Sequence, residues 1–161
     1  MMRRKKGIYF ERLVGSPEPI TVRVKRRVNF NEADIMGVAW FGRYAVFFEE
    51  GNAALGKFIG ISYKDYHAHQ LRAPIVQFHV DYHKPLFLDE EFMIEARLVW
   101  CEGGRHNIEY SLFKEDGSLA ASGYSVQLFI DDKSFTPCLI APPLLEAMRL
   151  RWQKGEFKCR E

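Results

Sequence analysis

From Tyr44 onward the apolar side chains recur every third or fourth residue, and Tyr44, Phe47, Phe48, Gly51, Leu55 and Phe58 share one face. That period is the period of a helix, here about four turns long. Gly51 falls inside the stripe, where glycine costs roughly 1 kcal/mol of helix propensity relative to alanine, so a close neighbour on that side is expected. Gly60 supplies the stop. Elsewhere the period is two. Residues 21–30 alternate strictly, with Val22, Val24, Val28 and Phe30 on one side and Arg26 as the single charge among them. Four more alternating segments follow the helix. Val76, Phe78, Val80 and Tyr82 stand opposite Gln77, His79, Asp81 and His83; Phe92, Ile94, Ala96, Leu98 and Trp100 stand opposite Glu95 and Arg97. Ile108, Tyr110 and Leu112 stand opposite Asn107, Glu109 and Ser111, and the last segment has Ala120, Tyr124, Val126, Leu128 and Ile130 as its apolar row.

The breaks fall at residues 85–89, at Gly103-Gly104 and at Asp116-Gly117, the last a two-residue hairpin signal. Residues 62–70 read as a short connecting helix. Pro142 and Pro143 open a final helix with Leu144, Leu145, Met148 and Trp152 on one stripe, expected to cap an edge or join a subunit contact. Antiparallel strands with one dry face need a cover, and the long helix provides it. The fold class is therefore α+β, an antiparallel sheet wrapped around one long central helix. Residues 1–19 form a partly ordered arm, because Gly15, Pro17 and Pro19 interrupt regular structure, and only residues 8–14 could pair as an edge strand. Residues 20–153 form the domain and 154–161 a C-terminal tail.

A chain of 161 residues sets one domain as the prior, and 47% apolar with 27% charged residues is the balance of a soluble globular protein, with no membrane partner implied. The formal charge of +2 is too small to argue for nucleic acid, although Arg3, Arg4, Lys5 and Lys6 open the chain. No continuous apolar stretch follows them, which argues against a secretion signal. Cys101, Cys138 and Cys159 are odd in number and widely spaced, as expected of reduced thiols in a cytoplasmic protein.

Phe30, Asp34, Gly37, Tyr44, Phe48 and Glu49 together resemble the motif that opens the 4-hydroxybenzoyl-CoA thioesterase family of hotdog-fold proteins. The resemblance spans roughly residues 21–152. It implies an acyl-CoA thioesterase that needs no metal or other cofactor and releases a free acid and CoA. Asp34 would be its nucleophile or general base, while the N–H groups of Phe41 and Gly42 at the start of the helix would polarise the thioester carbonyl. From spacing alone, an aspartate before a helix reads rather as a turn-forming residue, and the resemblance is what reverses that reading. Its apolar neighbours Ala33, Ile35 and Met36 are expected to desolvate the carboxylate. One bacterial branch of the family has histidine where this chain has Gly42, so no histidine-assisted step is available there; glycine would leave the helix start unshielded, or mark lost activity.

Trp40, beside Phe41, is expected to wall the acyl group; Arg105 matches a basic cluster that contacts the nucleotide in some relatives and with His106 would meet the phosphates of CoA, or is equally a solvated turn residue. Glu49 and Glu50 point in different directions on a helix and read as structural. His79, Asp81 and His83 share a wet strand face or a subunit contact, with no metal implied. Two other readings stay open: a non-catalytic acyl-CoA or acyl-carrier binding module, and a hotdog dehydratase or hydratase using His67 or His69. Unpaired strand edges call for a homodimer that joins edge strands, and in the family the site lies where the two subunits meet. Outer faces carrying Tyr, His and Arg would suit a homotetramer.

Overall fold

The computed structural model describes residues 7–158. In chain order it contains β1 (Ile20–Arg27), α1 (Tyr44–Ile59), α2 (Tyr63–Ala68), β2 (Leu71–Arg72), β3 (Ile75–Tyr82), β4 (Glu91–Val99), β5 (Arg105–Lys114), β6 (Leu119–Leu128), β7 (Ile130–Asp131) and α3 (Pro143–Gln153). Five strands make one antiparallel sheet in the order β1-β4-β5-β6-β3, and β2 pairs with β7 in a separate ribbon. The sheet packs around α1, whose Tyr44, Phe47, Phe48, Leu55 and Ile59 are all buried. No helix among the described residues is long and apolar enough to cross a membrane.

Gly51 has the close neighbours its position implied: a Cβ there would stand 2.9 Å from Ile94 Cγ2 and 3.2 Å from the Ala96 Cβ of β4. The helix ends at Gly60 in the left-handed conformation, φ 75°, its N–H directed at the Gly56 and Lys57 carbonyls. Phe58 is not part of the buried stripe; it is 45% exposed and Ile59 fills that place, because the stripe drifts as the helix turns. The first strand is also shorter than its alternation. It stops at Arg27, and Phe30 lies in a 3-10 turn, Phe30–Glu32, at 85% exposure.

The largest departure is in β6. Its cross-strand partners fix its faces: Ser125 pairs with Ile108 and Gly123 with Tyr110, so Ala121, Gly123, Ser125 and Gln127 face α1. The row containing Tyr124 and Val126 faces outward. Phe48 and Tyr110 stack in parallel, with centroids 4.4 Å apart, and a Cβ at Gly123 would come within 2.6 Å of the Phe48 ring. A small inward residue is what leaves room for that stack.

The outward row is covered by the arm. Residues 7–12 do not pair as a strand; they lie across the outer face of β4, β5, β6 and β3. Tyr9 Oη donates to Asp81 (2.6 Å) and contacts Ser122 Oγ (2.7 Å), and its ring meets His79 and Tyr124. Fully buried Glu109 accepts the Tyr9 N–H and both Arg12 nitrogens. Burial alone would raise the Glu109 carboxyl, but Arg12 and the Phe10 and Tyr9 N–H groups outweigh it and hold the pKa low. Beneath the arm, Asp81 also pairs with His79 (3.0 Å) and His83 Nε2 meets Ser122 Oγ (2.9 Å), so this row of polar groups anchors the arm.

At the other end of the molecule α3 packs Leu145, Met148 and Trp152 into the core, and Trp152 Nε1 donates to the Glu18 carbonyl at 2.8 Å. Cys101 and Cys138 are free thiols, and burial pushes both upward in pKa. Arg3, Arg4, Lys5, Lys6 and Cys159 lie outside the described residues.

Candidate active site

The loop that joins β1 to α1 is tied from below by Arg26, the one charge on the apolar face of its strand. Its guanidinium donates to both Glu32 oxygens (2.7 and 2.5 Å) and to Glu50 on α1 (2.8 Å), and lies over the Phe47 ring 4.5 Å from its centroid. Glu32 in turn accepts the Asn29 N–H (2.9 Å). The Arg26 bonds hold the Glu32 carboxyl below its ordinary pKa. Sequence pattern flagged Arg26 only as an exception. Its partners Glu32 and Glu50 lie six and twenty-four residues away, beyond any local spacing rule.

Above this anchor the loop closes on itself. Ala33 bridges to Ala39, the Asp34 N–H reaches the Val38 carbonyl (2.9 Å), and the Gly37 N–H reaches the Asp34 carbonyl (3.0 Å). The Asp34 carboxylate accepts the Met36 N–H at 2.8 Å, so this residue does form the local turn that its position allowed. The expected desolvation by neighbours is absent within one chain, because Ile35 and Met36 project into solvent while Asp34 is half-buried. The loop is tied on one side to the β3–β4 connection, where Val38 bridges to Phe87, the Ala39 N–H donates to the Leu86 carbonyl (2.7 Å) and the Leu88 N–H to the Gly37 carbonyl (2.9 Å).

Beyond Ala39 the chain enters a 3-10 turn, Phe41–Arg43, that runs directly into α1. The Trp40 N–H donates to the Glu32 carbonyl and the Arg43 N–H to the Trp40 carbonyl. Phe41 and Gly42 thus hold the first-turn positions whose N–H groups have no intrahelical acceptor. Gly42 is exposed, yet the Trp40 indole lies against one side of it, where a Cβ would overlap the six-membered ring. Trp40 and Phe41 rings meet at 5.0 Å, and the Tyr82 hydroxyl donates to the Phe41 carbonyl (2.9 Å), joining the end of β3 to the start of α1. Gly42→Ala is therefore expected to displace the indole. It should change tryptophan emission and raise KM several-fold with little loss of thermal stability; unchanged emission and KM would refute the contact.

A groove of about 460 Å³ lies between α1 and β3, its lining on the helix beginning at Ala45; Asp34, Phe41 and Gly42 are not among its lining residues. Ala45, Phe48 and Phe78 line its near part; Asn52, Tyr63, Ala73, Ile75 and Gln127 line its far part. α1 and β3 run antiparallel: Tyr82 at the end of β3 bonds Phe41 just before α1, while Ile75 at the start of β3 lines the groove with Asn52 further along α1. Gln127 Oε1 is buried without a hydrogen-bond partner, a feature the apolar row read for this strand does not point to.

Neither basic candidate is at this groove. The register of β5 turns His106 inward with Ile108 and Tyr110; it is 4% exposed, edge-on to Phe129, and burial lowers its pKa to about 3. A neutral, enclosed imidazole cannot meet a phosphate at the surface. Arg105 is half-buried and donates to Asn107 Oδ1 (2.8 and 3.1 Å). Glu49 accepts the Tyr63 hydroxyl at 2.8 Å and Glu50 pairs with Arg26, as expected of structural acids. His67 and His69 lie on and just after α2, beyond the C-terminal end of α1 and so away from Asp34.

The comparisons agree with this architecture. YneP of Bacillus subtilis (strain 168), provisionally assigned as an acyl-CoA thioesterase, is 28% identical over 110 residues, 68% of this chain and 80% of YneP. DHNA-CoA thioesterase from Staphylococcus aureus superposes with a TM-score of 0.75 at 24% identity, covering 88% of this chain and 97% of that one. SAV2348 of Staphylococcus aureus, solved in complex with CoA, gives a TM-score of 0.75 at 16% identity over 92% of each chain. The fold is the hotdog fold. The sequence profile that matches residues 28–148 takes in the Asp34 loop, all of α1 and the whole sheet from β3 to β6, and on that match the chain belongs to the thioesterase-like superfamily.

Proposed function

We propose that this protein is an acyl-CoA thioesterase that hydrolyses an acyl-CoA thioester to the free acid and CoA. The observation that carries the reading is the junction at the start of α1. A carboxylate on a loop fixed by the Ala33–Ala39 bridge precedes two first-turn N–H groups, and an apolar groove lies along the same helix. The N–H groups of Phe41 and Gly42 would hold the developing oxyanion in a fixed geometry, a form of stabilisation worth roughly 3–4 kcal/mol per donor in well-studied hydrolases. Asp34 would attack the carbonyl carbon or take a proton from the attacking water. The groove has the volume and the mostly apolar lining of a small-molecule site. Thiol release over a panel of aromatic and aliphatic acyl-CoAs tests the reading. Release above the buffer rate for at least one class is expected; tight binding with no release would identify a binding module instead.

The site is completed by a second copy in this reading. Among the described residues β3 bonds only to β6 in the sheet, and its Ile75, Val76, Phe78 and Tyr82 are exposed, as are Ile35, Met36, Trp40 and Phe41 around the loop. Pairing two β3 edges about a two-fold axis would satisfy the free ladder groups and cover the loop, desolvating Asp34 in a way that one chain does not. The arm occupies the outer face that stacked dimers would need, which favours the dimer over the tetramer. Light scattering at micromolar concentration should give twice the 18.8 kDa chain mass. A fully active monomer would refute the shared site.

A further inference from the structure

The groove beside α1 stops at one side chain. Tyr63 lines its far part, and the same ring lines a second, more open groove of about 660 Å³ between α2 and the β2–β7 ribbon. The second groove is walled by Leu71, Pro74, Ile130 and Phe135, with the Arg72–Asp132 pair at its rim. Among the described residues Tyr63 and Ala73 line both spaces, and the methyl group of alanine is too short to divide them. We propose that the Tyr63 ring is the partition that sets how long an acyl chain this site accepts. The inference rests on the reading of the α1–β3 groove as the acyl site.

Three observations make the ring a fixed wall. Its hydroxyl donates to Glu49 Oε1 at 2.8 Å, tying α2 across to α1. Burial, together with that bond, raises its pKa to about 12, so the donor stays protonated at any ordinary pH. The backbone beneath it is set by a capping box at the start of α2, in which Asp65 Oδ2 accepts both the N–H and the hydroxyl of Ser62 at 2.7 Å. Beyond the wall lies a largely apolar surface suited to methylene groups, where an acyl chain that reached it would be removed from water.

The experiment measures kcat/KM on saturated acyl-CoAs from acetyl to palmitoyl for the natural protein, Tyr63→Ala, Tyr63→Leu and Tyr63→Phe. The natural protein should show a fall beyond some chain length. Tyr63→Ala should move that fall to longer chains and raise kcat/KM for the longest by about tenfold or more, with short chains changed only a few-fold. Tyr63→Phe keeps the ring and should keep the cutoff, which separates the wall from its hydrogen bond. Tyr63→Leu, which retains apolar bulk, should give an intermediate cutoff and serves if the alanine variant fails to fold. A natural protein that turns over acyl-CoAs with no cutoff, or a cutoff unmoved in the alanine and leucine variants, overturns the partition alone. No thiol release from any acyl-CoA by the natural protein overturns the underlying activity with it.

Discussion

Asp34→Asn is expected to lower kcat for acyl-CoA hydrolysis by about 10² or more, the usual loss when a catalytic base or nucleophile is removed. Asparagine is the right replacement because of the turn. The Asp34 carboxylate accepts the Met36 N–H through Oδ1, and an asparagine carbonyl can accept the same bond, so the loop between Ala33 and Ala39 keeps its shape. What disappears is the negative charge and the ability to attack or to take a proton. Thermal melting should shift by no more than a degree or two, and substrate binding should persist. Asp34→Ala removes the turn bond as well, so its additional loss relative to asparagine measures the structural role of the side chain. Turnover within a few-fold of the natural protein in Asp34→Asn would end the assignment of this residue, whatever the fate of the thioesterase reading itself.

The elements that were legible in the sequence are those whose residues answer to one local period. The α1 stripe, the close approach at Gly51 and the stop at Gly60 all follow from helix geometry and the size of a hydrogen atom, and the structure has each of them. The alternations of β4 and β5 likewise point the way their patterns say. β6 misleads because an outward face need not be wet: Tyr9 and Phe10 from the arm pack on Tyr124, so its apolar row is on the outside. Its inward row is small and polar because the Phe48–Tyr110 stack needs the volume. His106 was expected to meet the phosphates of CoA and ended up facing α1 opposite Gln127, where register and not polarity decides their side.

The site was legible in a different sense. Asp34 and the Phe41-Gly42 pair were named through a motif, and no periodicity points to them. The groove along the same helix, and Tyr63 at its end, depend on α1, α2 and β3 coming together, which no linear spacing records. The overlay of Trp40 on Gly42 was equally out of reach, since it depends on a rotamer and not on adjacency alone.

The second large effect expected is on folding, at Arg26→Ala. Arg26 and Glu32 are both nearly enclosed, with side chains 12% and 7% exposed, so truncating the arginine strands the Glu32 carboxylate in a site that water scarcely reaches. Breaking a buried pair in this way costs about 3–5 kcal/mol, which for a domain of this size lowers Tm by roughly 10 °C. The loss of the guanidinium face over Phe47 adds to it. The pH dependence carries the signature. Glu32 has a depressed pKa in the folded protein, so the stability it contributes is fully present above the unfolded carboxyl value of about 4.3 and is lost as pH falls through the lower folded value. The natural protein and Arg26→Ala should therefore differ most near neutrality and converge in acid, where Glu32 is protonated in both. Arg26→Met with Glu32→Gln removes both charges and should recover much of the difference, because the cost lies in the orphaned carboxylate and not in the missing attraction. Activity gives a second readout, since Glu32 also accepts the Trp40 N–H through its carbonyl and so fixes the chain just before Phe41 and Gly42. If Arg26→Ala melts within a degree of the natural protein at neutral pH, the ion pair is not the anchor of this loop.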